Sequence, residues 1–359
     1  MAIRVAQPDD VNVCLLLTMK PEAASAKPSY RNPRVRRWAS YLWREAIRKS
    51  WEPIAPAFAK PNPAEWRDDQ VTAAWLGHST VLINFFGINI LTDPVLFPRI
   101  GIRIPFLFTI GPKRLTQPAL RVDELPRIDL ILLSHAHFDH IDWRTLNRLS
   151  RRSGVKLGGH STKVITAPKT RDLLRWTRLR DITELRWNER ITCRFPSGRP
   201  DRLKRSSSTE GTIGAAEMAD RRVDIVSVPV KHWGARMQRD DYRGYNGYLI
   251  ERNNRRILFA GDTAFTDTFA GLRKYGPIDL AIFSIAAYNP WIRSHCSPEE
   301  AMQMANNAGA KFIMPVHHQT FRLSFEPFRE PIERFEAALR DEPERIALRE
   351  IGETFVLPV

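Results

Sequence analysis

Cysteine is scarce in this chain of 359 residues, where Cys14, Cys193 and Cys296 stand far apart and form no CxxC pair. The scarcity argues against a disulfide framework and against a zinc site built from thiolates. It is typical of a protein that works in a reducing compartment, so we predict a cytoplasmic location.

Long apolar runs are also lacking. The most apolar early stretch, Val11–Met19, is much shorter than the roughly 20 residues that span a bilayer. Before it stand Asp9, Asp10 and a single base, Arg4, which does not match the basic start of a secretory signal. We therefore predict no transmembrane helix and interpret the N-terminus as an exposed tail.

Basic residues, by contrast, are in excess, and the formal net charge is +15. Such an excess attracts nucleic acid, anionic membrane surfaces or phosphorylated substrates, and the charge alone does not distinguish among these three classes of partner. Hydrophobic residues make up 43% of the chain, which is enough for a sizeable core and excludes disorder of the whole chain.

Residues 1 to about 70 are rich in proline and bases and form a predicted N-terminal extension before a domain at 71–359. One helical pattern, Pro33–Ser50, begins after Asn32, a good helix cap. Its apolar residues share one face, and Arg37, Arg44 and Arg48 lie opposite. This basic amphipathic helix either packs on the core of the following domain or lies on a membrane surface as a peripheral anchor.

From Val71 onward, short apolar runs rich in β-branched residues predict strands, and helical patterns lie between them. The mixed order predicts a layered α/β architecture. Residues 196–222 contain little apolar sequence and are interpreted as a surface insertion. The predicted strands are Val71–Leu76, Val81–Phe86, Ile88–Thr92, Leu130–Ser134, Val223–Val228, Gly247–Ile250, Ile257–Ala260 and Leu280–Ser284; the predicted helices are Asp142–Leu149, Thr170–Arg175, Pro298–Ala308 and Pro331–Leu339.

The strongest local signal is a run of metal-binding side chains directly after the apolar strand that begins at Leu130. Its residues are His135, His137, Asp139 and His140, within six positions of one another. Imidazole and carboxylate groups suit zinc and its neighbours, and a loop at a strand end can turn several of them inward together. The spacing indicates a metal site far more specifically than a lone histidine would.

Three more candidate ligands occupy similar places: His232, Asp262 and His317 each follow a predicted strand. A single histidine or aspartate at such a position is usually structural. Four strand ends that carry such residues together predict a shared metal site much more strongly than any one of them alone.

These motifs resemble the metallo-beta-lactamase superfamily, in particular the branch that contains N-acyl-phosphatidylethanolamine-hydrolysing phospholipase D and ascorbate-phosphate lactonase relatives. The resemblance runs from Val71 to the C-terminus. The segments that carry it are Trp75–Thr80, Leu91–Pro94, Gly111–Arg114, His135–His140, Lys231–Trp233, Gly261–Thr263, His295 with Pro298–Ala301, and His317–Phe321. His318-Gln319 replaces a usual Trp-Gly, and Tyr245–Gly247 differs from the phospholipase pattern.

The resemblance implies a four-layer αββα sandwich with two metal ions at one edge of its sheets. It also implies that His135, His137 and His232 bind one ion, that Asp139, His140 and His317 bind the other, and that Asp262 bridges both. Zinc is the expected metal, and a shell of His and Asp also suits iron or manganese. A bridging hydroxide would then act as the nucleophile, with Asp139 and Asp262 as catalytic ligands.

Further residues are expected near this centre. The resemblance makes His295 a catalytic candidate that protonates a leaving alkoxide or binds phosphate. Asp93 is expected to accept a hydrogen bond from a ligand such as His135, and His78 to line the site. Lys113, Arg114 and Arg236 are interpreted as solvated surface bases in so basic a chain.

The function predicted first is hydrolysis of a phosphodiester, of the phospholipase D type on N-acyl-phosphatidylethanolamine-like lipids, at the inner face of the membrane. A small molecule is the other substrate class, since a lactonase or another carbonyl hydrolase would use the same nucleophile. A nucleic-acid enzyme or binder ranks below both, because no appended recognition domain is evident. The sequence leaves the oligomeric state open.

Overall fold

The computed structural model describes residues 52–103, 109–153, 162–196, 221–237 and 240–358. These ranges belong to the larger of two units, Tyr41–Val359. The predicted helix at Pro33–Ser50 and most of the predicted insertion at 196–222 lie outside the described residues.

One sheet has seven strands: β1 (Val71–Gly77), β2 (Thr80–Phe85), β3 (Ile88–Thr92), β6 (Leu130–Leu133), β7 (Lys163–Thr166), β8 (Asp181–Glu184) and β15 (Thr354–Val356). Their order in the sheet is β15-β1-β2-β3-β6-β7-β8. Strands β1 to β3 form an antiparallel meander, and β3, β6, β7 and β8 are parallel neighbours.

A second sheet has six strands: β9 (Arg190–Arg194), β10 (Arg222–Val228), β11 (Gly247–Arg252), β12 (Arg255–Phe259), β13 (Ile278–Ser284) and β14 (Ala310–Val316). Their order in the sheet is β14-β13-β12-β11-β10-β9. Strands β9 to β12 are antiparallel, whereas β12, β13 and β14 run parallel. A separate short ribbon pairs β4 (Ile102–Arg103) with β5 (Thr109–Ile110).

Alternate residues of the second sheet pack on opposite sides, which defines the layers. In β12, Ile257 and Phe259 join the core between the two sheets, whereas Leu258 packs in the core beneath the outer helices. In the described part of the chain the helices are α1 (Trp143–Ser153) beside the first sheet, and α2 (Pro298–Ala308) and α3 (Glu330–Ala338) beside the second. The order helix, sheet, sheet, helix confirms the predicted four-layer αββα sandwich.

Local sequence explains where α2 begins and ends. The Ser297 side chain accepts a hydrogen bond from Glu300 N, and the Glu300 carboxylate accepts one from Ser297 N, so two free amides are satisfied at once. Gly309 ends the helix in the left-handed conformation, with φ 77°.

Some elements differ from the predicted ones. The helical pattern at Thr170–Arg175 forms only a 3₁₀ turn, Arg171–Leu174. Strands β7, β8 and β9 lack a clear signal in the sequence, because each is four or five residues long with a polar or charged residue at both ends. Strands β8 and β9 also lie at the edges of their sheets. The domain boundary near residue 70 stays a prediction; on its N-terminal side, Ala55 N donates to Leu115 O and Ala59 N to Ile351 O.

The ends of the 196–222 segment lie on neighbouring antiparallel strands, because β9 pairs with β10 and Phe195 N donates to Arg221 O. Among the described residues, no helix combines the length and the apolarity that crossing a bilayer requires.

Candidate metal centre

The carboxyl ends of several strands from both sheets meet at one edge of the sandwich, and the predicted site residues follow these strands. In the first sheet His78 follows β1, Asp93 follows β3, and the run that begins at His135 follows β6. In the second sheet His232, Asp262 and His317 follow β10, β12 and β14 in the same way. The two sheets are joined here by a bridge between His135 and Tyr245 and by a hydrogen bond from Asn246 N to Ser134 O.

One cluster of ligand atoms comes from His135, His137 and His232. His137 Nδ1 lies 2.7 Å from His135 Nε2 and 3.4 Å from His232 Nε2. Three ring nitrogens from two sheets therefore converge on one small volume.

A second cluster surrounds Asp139 and includes His78, His140 and His317. The Asp139 Oδ2 atom lies 3.1 Å from His78 Nε2, 3.5 Å from His317 Nε2 and 3.6 Å from His140 Nε2. The structure thus brings all seven sequence-predicted ligands to one place and adds His78 to them.

Asp262 lies between the two clusters. Its Oδ2 atom is 3.0 Å from His140 Nε2, 3.2 Å from His317 Nε2 and 4.0 Å from His135 Nε2. One carboxylate oxygen therefore faces ligand atoms of both groups.

Hydrogen bonds at the far side of the rings fix which nitrogen faces the centre. His140 Nδ1 lies 2.7 Å from the Asp93 carboxylate, and His232 Nδ1 lies 2.7 Å from the carbonyl of Ser294. These oxygens only accept, so the protons sit on Nδ1, and each Nε2 presents a lone pair to the centre. The Ser134 hydroxyl donates to Asp93 at 2.5 Å and accepts from His135 Nδ1 at 2.9 Å, which orients the third ring in the same way.

This arrangement fits metal cations. The lone pair of His140 Nε2 faces the negative Asp262 Oδ2 at 3.0 Å, so acceptor meets acceptor inside the protein. Such a contact is unfavourable unless positive charge lies beside both atoms. Imidazole nitrogens and carboxylate oxygens are the donor set that binds zinc, iron or manganese, and hydrogen bonds on the far side orient three of the rings, those of His135, His140 and His232.

The pKa values of the histidines also indicate that positive charge stabilises this site. Although burial opposes it, the carboxylates of Asp262, Asp139 and Asp93 hold the pKa of His140 well above its usual range. The pKa of His317 is raised to about 9, again against burial, by Asp262 and Asp139. Burial lowers the pKa of His137 to about 3 and that of His232 to about 4. Protons and metal cations therefore compete for the same rings.

The backbone is strained at three of these positions: His78, Asp93 and His317 have φ values of 52°, 31° and 68°. Non-glycine residues rarely adopt positive φ, and such residues concentrate at functional sites. His317 N also donates to His78 O, which joins two of these loops.

Gly261, just before the bridging candidate Asp262, meets two conditions that only glycine satisfies easily. Its φ is +63°, and an added Cβ would lie 2.8 Å from the Cβ of Ser134. The close approach of the two sheets at the centre requires glycine at this position.

The supporting residues lie close to where they were expected. Asp93 accepts directly from His140 rather than from His135, which it reaches through Ser134. His295 is 9% exposed, and its Nδ1 atom lies 3.9 Å from Asp262 Oδ2, close enough for it to join His232 and Asp262 as a potential ligand. Burial lowers the pKa of His295 well below its usual range.

The interpretation of Arg114 and Arg236 as solvated surface bases is wrong. Arg114 is 1% exposed, and its guanidinium donates to Thr116 O and Val95 O. Arg236 donates to the carbonyls of Ala136 and Ile141 and stacks over the Phe138 ring, so it braces the loop of the ligand run. Backbone carbonyls in turning loops need donors, and a buried guanidinium supplies several.

Sequence reasoning missed Ser134, Ser284 and the carbonyl of Ser294. Ser134 precedes the ligand run, and Ser284 ends a predicted strand, so position alone marked them as close to the edge. No pattern in the sequence shows which carboxylate or ring they contact.

Comparison with known proteins gives concordant results. A family model described as a beta-lactamase superfamily domain matches residues 88–318. An uncharacterized protein of Mycobacterium tuberculosis is 31% identical over 317 residues, which cover 86% of this chain and 74% of that protein. N-acyl-phosphatidylethanolamine-hydrolyzing phospholipase D 1 of Caenorhabditis elegans is 29% identical over 72% of this chain and 67% of its own. The crystal structure of CmlA, a diiron beta-hydroxylase from Streptomyces venezuelae, superposes with a TM-score of 0.52 at 18% identity, over 81% of this chain and 54% of that one.

Proposed function

The chain belongs to the metallo-beta-lactamase superfamily, and we propose that it is a dinuclear-metal hydrolase that cleaves a phosphodiester. The observation that carries the proposal is the convergence of histidine nitrogens from two clusters on Asp262 Oδ2. A single ion would leave one of the two clusters without a cation.

Each ion has its own set of ligands in this proposal. His135, His137 and His232 would hold one ion, Asp139, His140 and His317 would hold the other, and Asp262 would contact both. Zinc is the metal we propose, and iron or manganese suits the same donors. Bound divalent ions supply Lewis acidity, which activates water as a nucleophile at neutral pH and stabilises charge on phosphate oxygens.

The protein side chains orient this chemistry. Asp93 and Ser134 hold His140 and His135 with their lone pairs inward, so the ligands need little rearrangement. His295 is the residue we propose to donate a hydrogen bond to a substrate oxygen, a role supported by its position 3.9 Å from Asp262 Oδ2. The carboxylates of Asp139 and Asp262 neutralise only half of the charge of two divalent ions, so the site attracts an anionic phosphodiester.

A phospholipid of the N-acyl-phosphatidylethanolamine type is the substrate class we propose, as for the relative from Caenorhabditis elegans. Exposed apolar side chains next to the centre support a lipid. Trp233, 48% exposed, contacts the His137 ring at 4.5 Å, and the exposed Ile292 lies two residues before the Ser294 carbonyl that binds His232. Exposed Lys231 and Arg293 stand beside these apolar residues, a combination that suits acyl chains and headgroup phosphates.

We also propose that the protein works in the cytoplasm, peripherally at the inner face of the membrane, and that nucleic acid is not its partner. The net charge of +15 favours anionic lipid surfaces. A flotation assay with phosphatidylglycerol vesicles tests this location, and equal recovery with neutral vesicles would count against it.

Product analysis tests the activity. Zinc-loaded protein is incubated with N-acyl-phosphatidylethanolamine and, separately, with a sugar-phosphate lactone, and Asp262→Asn serves as the blank. We expect release of the N-acylated headgroup, leaving phosphatidic acid, and loss of that product in the variant. Ring opening of the lactone alone would indicate a carbonyl hydrolase and reject the phospholipase assignment.

A further inference from the structure

Ser284 occupies the last position of β13 and is 3% exposed. Its hydroxyl lies 2.6 Å from Asp262 Oδ1 and 3.1 Å from the Gly261 carbonyl. A carboxylate can only accept, so the Ser284 hydroxyl donates its one proton to Oδ1 at the shorter distance.

The two oxygens of Asp262 therefore face different partners. Oδ1 is held by Ser284, on the side of the second sheet. Oδ2 faces the ligand nitrogens of His135, His140 and His317 at 4.0, 3.0 and 3.2 Å. A hydrogen bond to one oxygen also fixes the rotation of the carboxylate plane, and with it the direction of the other oxygen.

We propose that Ser284 is a positioning residue: its hydrogen bond to Oδ1 keeps Oδ2 as the oxygen that Asp262 would present to both metal ions. The inference rests on the proposed dinuclear centre and adds to it a residue that orients the shared carboxylate. Without the hydroxyl, Oδ1 would be free to rotate inward and compete with Oδ2 for the ions.

Ser284 also holds the neighbouring loop. Its carbonyl lies 3.3 Å from Cys296 Sγ, and Cys296 is adjacent to His295. The side chain of one residue thus orients the bridging carboxylate, and its backbone anchors the loop that carries His295. Cys296 gives a matched control, because its thiol donates its hydrogen bond to the Ser284 carbonyl.

The test compares Ser284→Thr with Ser284→Val, which add the same volume and differ in the hydroxyl. Ser284→Ala removes the hydroxyl without adding volume, so it gives the answer independently of whether the larger side chains fit. Dissociation constants for Zn²⁺ are measured by competition with a chromophoric chelator, and magnetic coupling is measured by electron paramagnetic resonance after loading with Mn²⁺.

We expect Ser284→Val and Ser284→Ala to bind the weaker ion about tenfold to a hundredfold less tightly, as is usual when a ligand loses its hydrogen-bond partner. The coupling between the two Mn²⁺ ions should change in the same two variants. Ser284→Thr and Cys296→Ala should keep the wild-type constants and spectrum.

Wild-type constants and coupling in Ser284→Ala would overturn the role of Ser284. Equal weakening in Cys296→Ala would also overturn it, because disturbed packing of the strand end would then explain the loss. Binding of fewer than two ions by the wild-type protein would instead reject the dinuclear centre itself, so the two failures are distinguishable.

Discussion

Replacing Asp93 by asparagine is the change whose consequence the structure defines most closely. Asp93 is fully buried and accepts three hydrogen bonds: from Ser134 N at 2.7 Å, from Ser134 Oγ at 2.5 Å and from His140 Nδ1 at 2.7 Å. Asparagine has the same shape but can accept at only one of the two positions. If its oxygen stays on Ser134 N, its amide NH₂ faces the Nδ1–H of His140, donor against donor.

His140 then has to move its proton to Nε2, which removes the lone pair that faces the centre. Loss of such a hydrogen-bond partner typically lowers metal affinity tenfold to a hundredfold, or about 1.4 to 2.8 kcal/mol. We expect this loss at one ion and a smaller effect on the other, because His135 reaches Asp93 only through Ser134. Zinc titration against a chelator measures both constants.

Asp142→Asn is the matched control. Asp142 is a buried carboxylate two residues after His140, but its hydrogen bonds go to Thr145 and to Arg144 N at the start of α1. The control should lose stability and keep the zinc constants. Wild-type zinc affinity in Asp93→Asn, or equal weakening in the control, would refute the reasoning.

Three further predictions concern stability and the substrate. Gly261→Ala should lower the free energy of unfolding by about 1–3 kcal/mol in urea titrations, since φ is +63° and Ser134 is close, whereas Gly271→Ala, with nothing within 4 Å, should not. Metal-free protein should lose stability below pH 6.5. Buried histidines with a lowered pKa stay neutral in the folded protein and take up protons when it unfolds, and each costs about 1.4 kcal/mol per pH unit. A flat acid limb down to pH 4 would contradict the lowered pKa values, which are about 3 for His78, His137 and His318 and about 4 for His232. Trp233→Ala should raise KM for a vesicle-borne lipid more than for a water-soluble phosphodiester, and equal changes would count against its role with lipid.

The layered fold and the residues at the strand ends were predictable because both depend on local patterns. Apolar β-branched runs mark strands whatever their neighbours are, and a ligand run directly after a buried strand has few structural explanations. Short strands with polar ends, such as β7 and β8, have no such signal, since their pairing is decided by neighbours far away in the sequence.

The contacts around the ligands could not be predicted in the same way. That Asp93 binds His140 directly, and that Ser284 binds Asp262, depends on how neighbouring strand ends within one sheet approach each other over long sequence separations. Arg114 shows the same limit: its charge suggested solvent, whereas unpaired carbonyls in the fold draw it inside.

Anomalous scattering from crystals grown with zinc tests the central claim most directly. The account predicts two peaks, one among His135, His137 and His232 and one among Asp139, His140 and His317, with Asp262 Oδ2 beside both. A single peak at saturating zinc, or two peaks away from Asp262, would contradict a dinuclear centre.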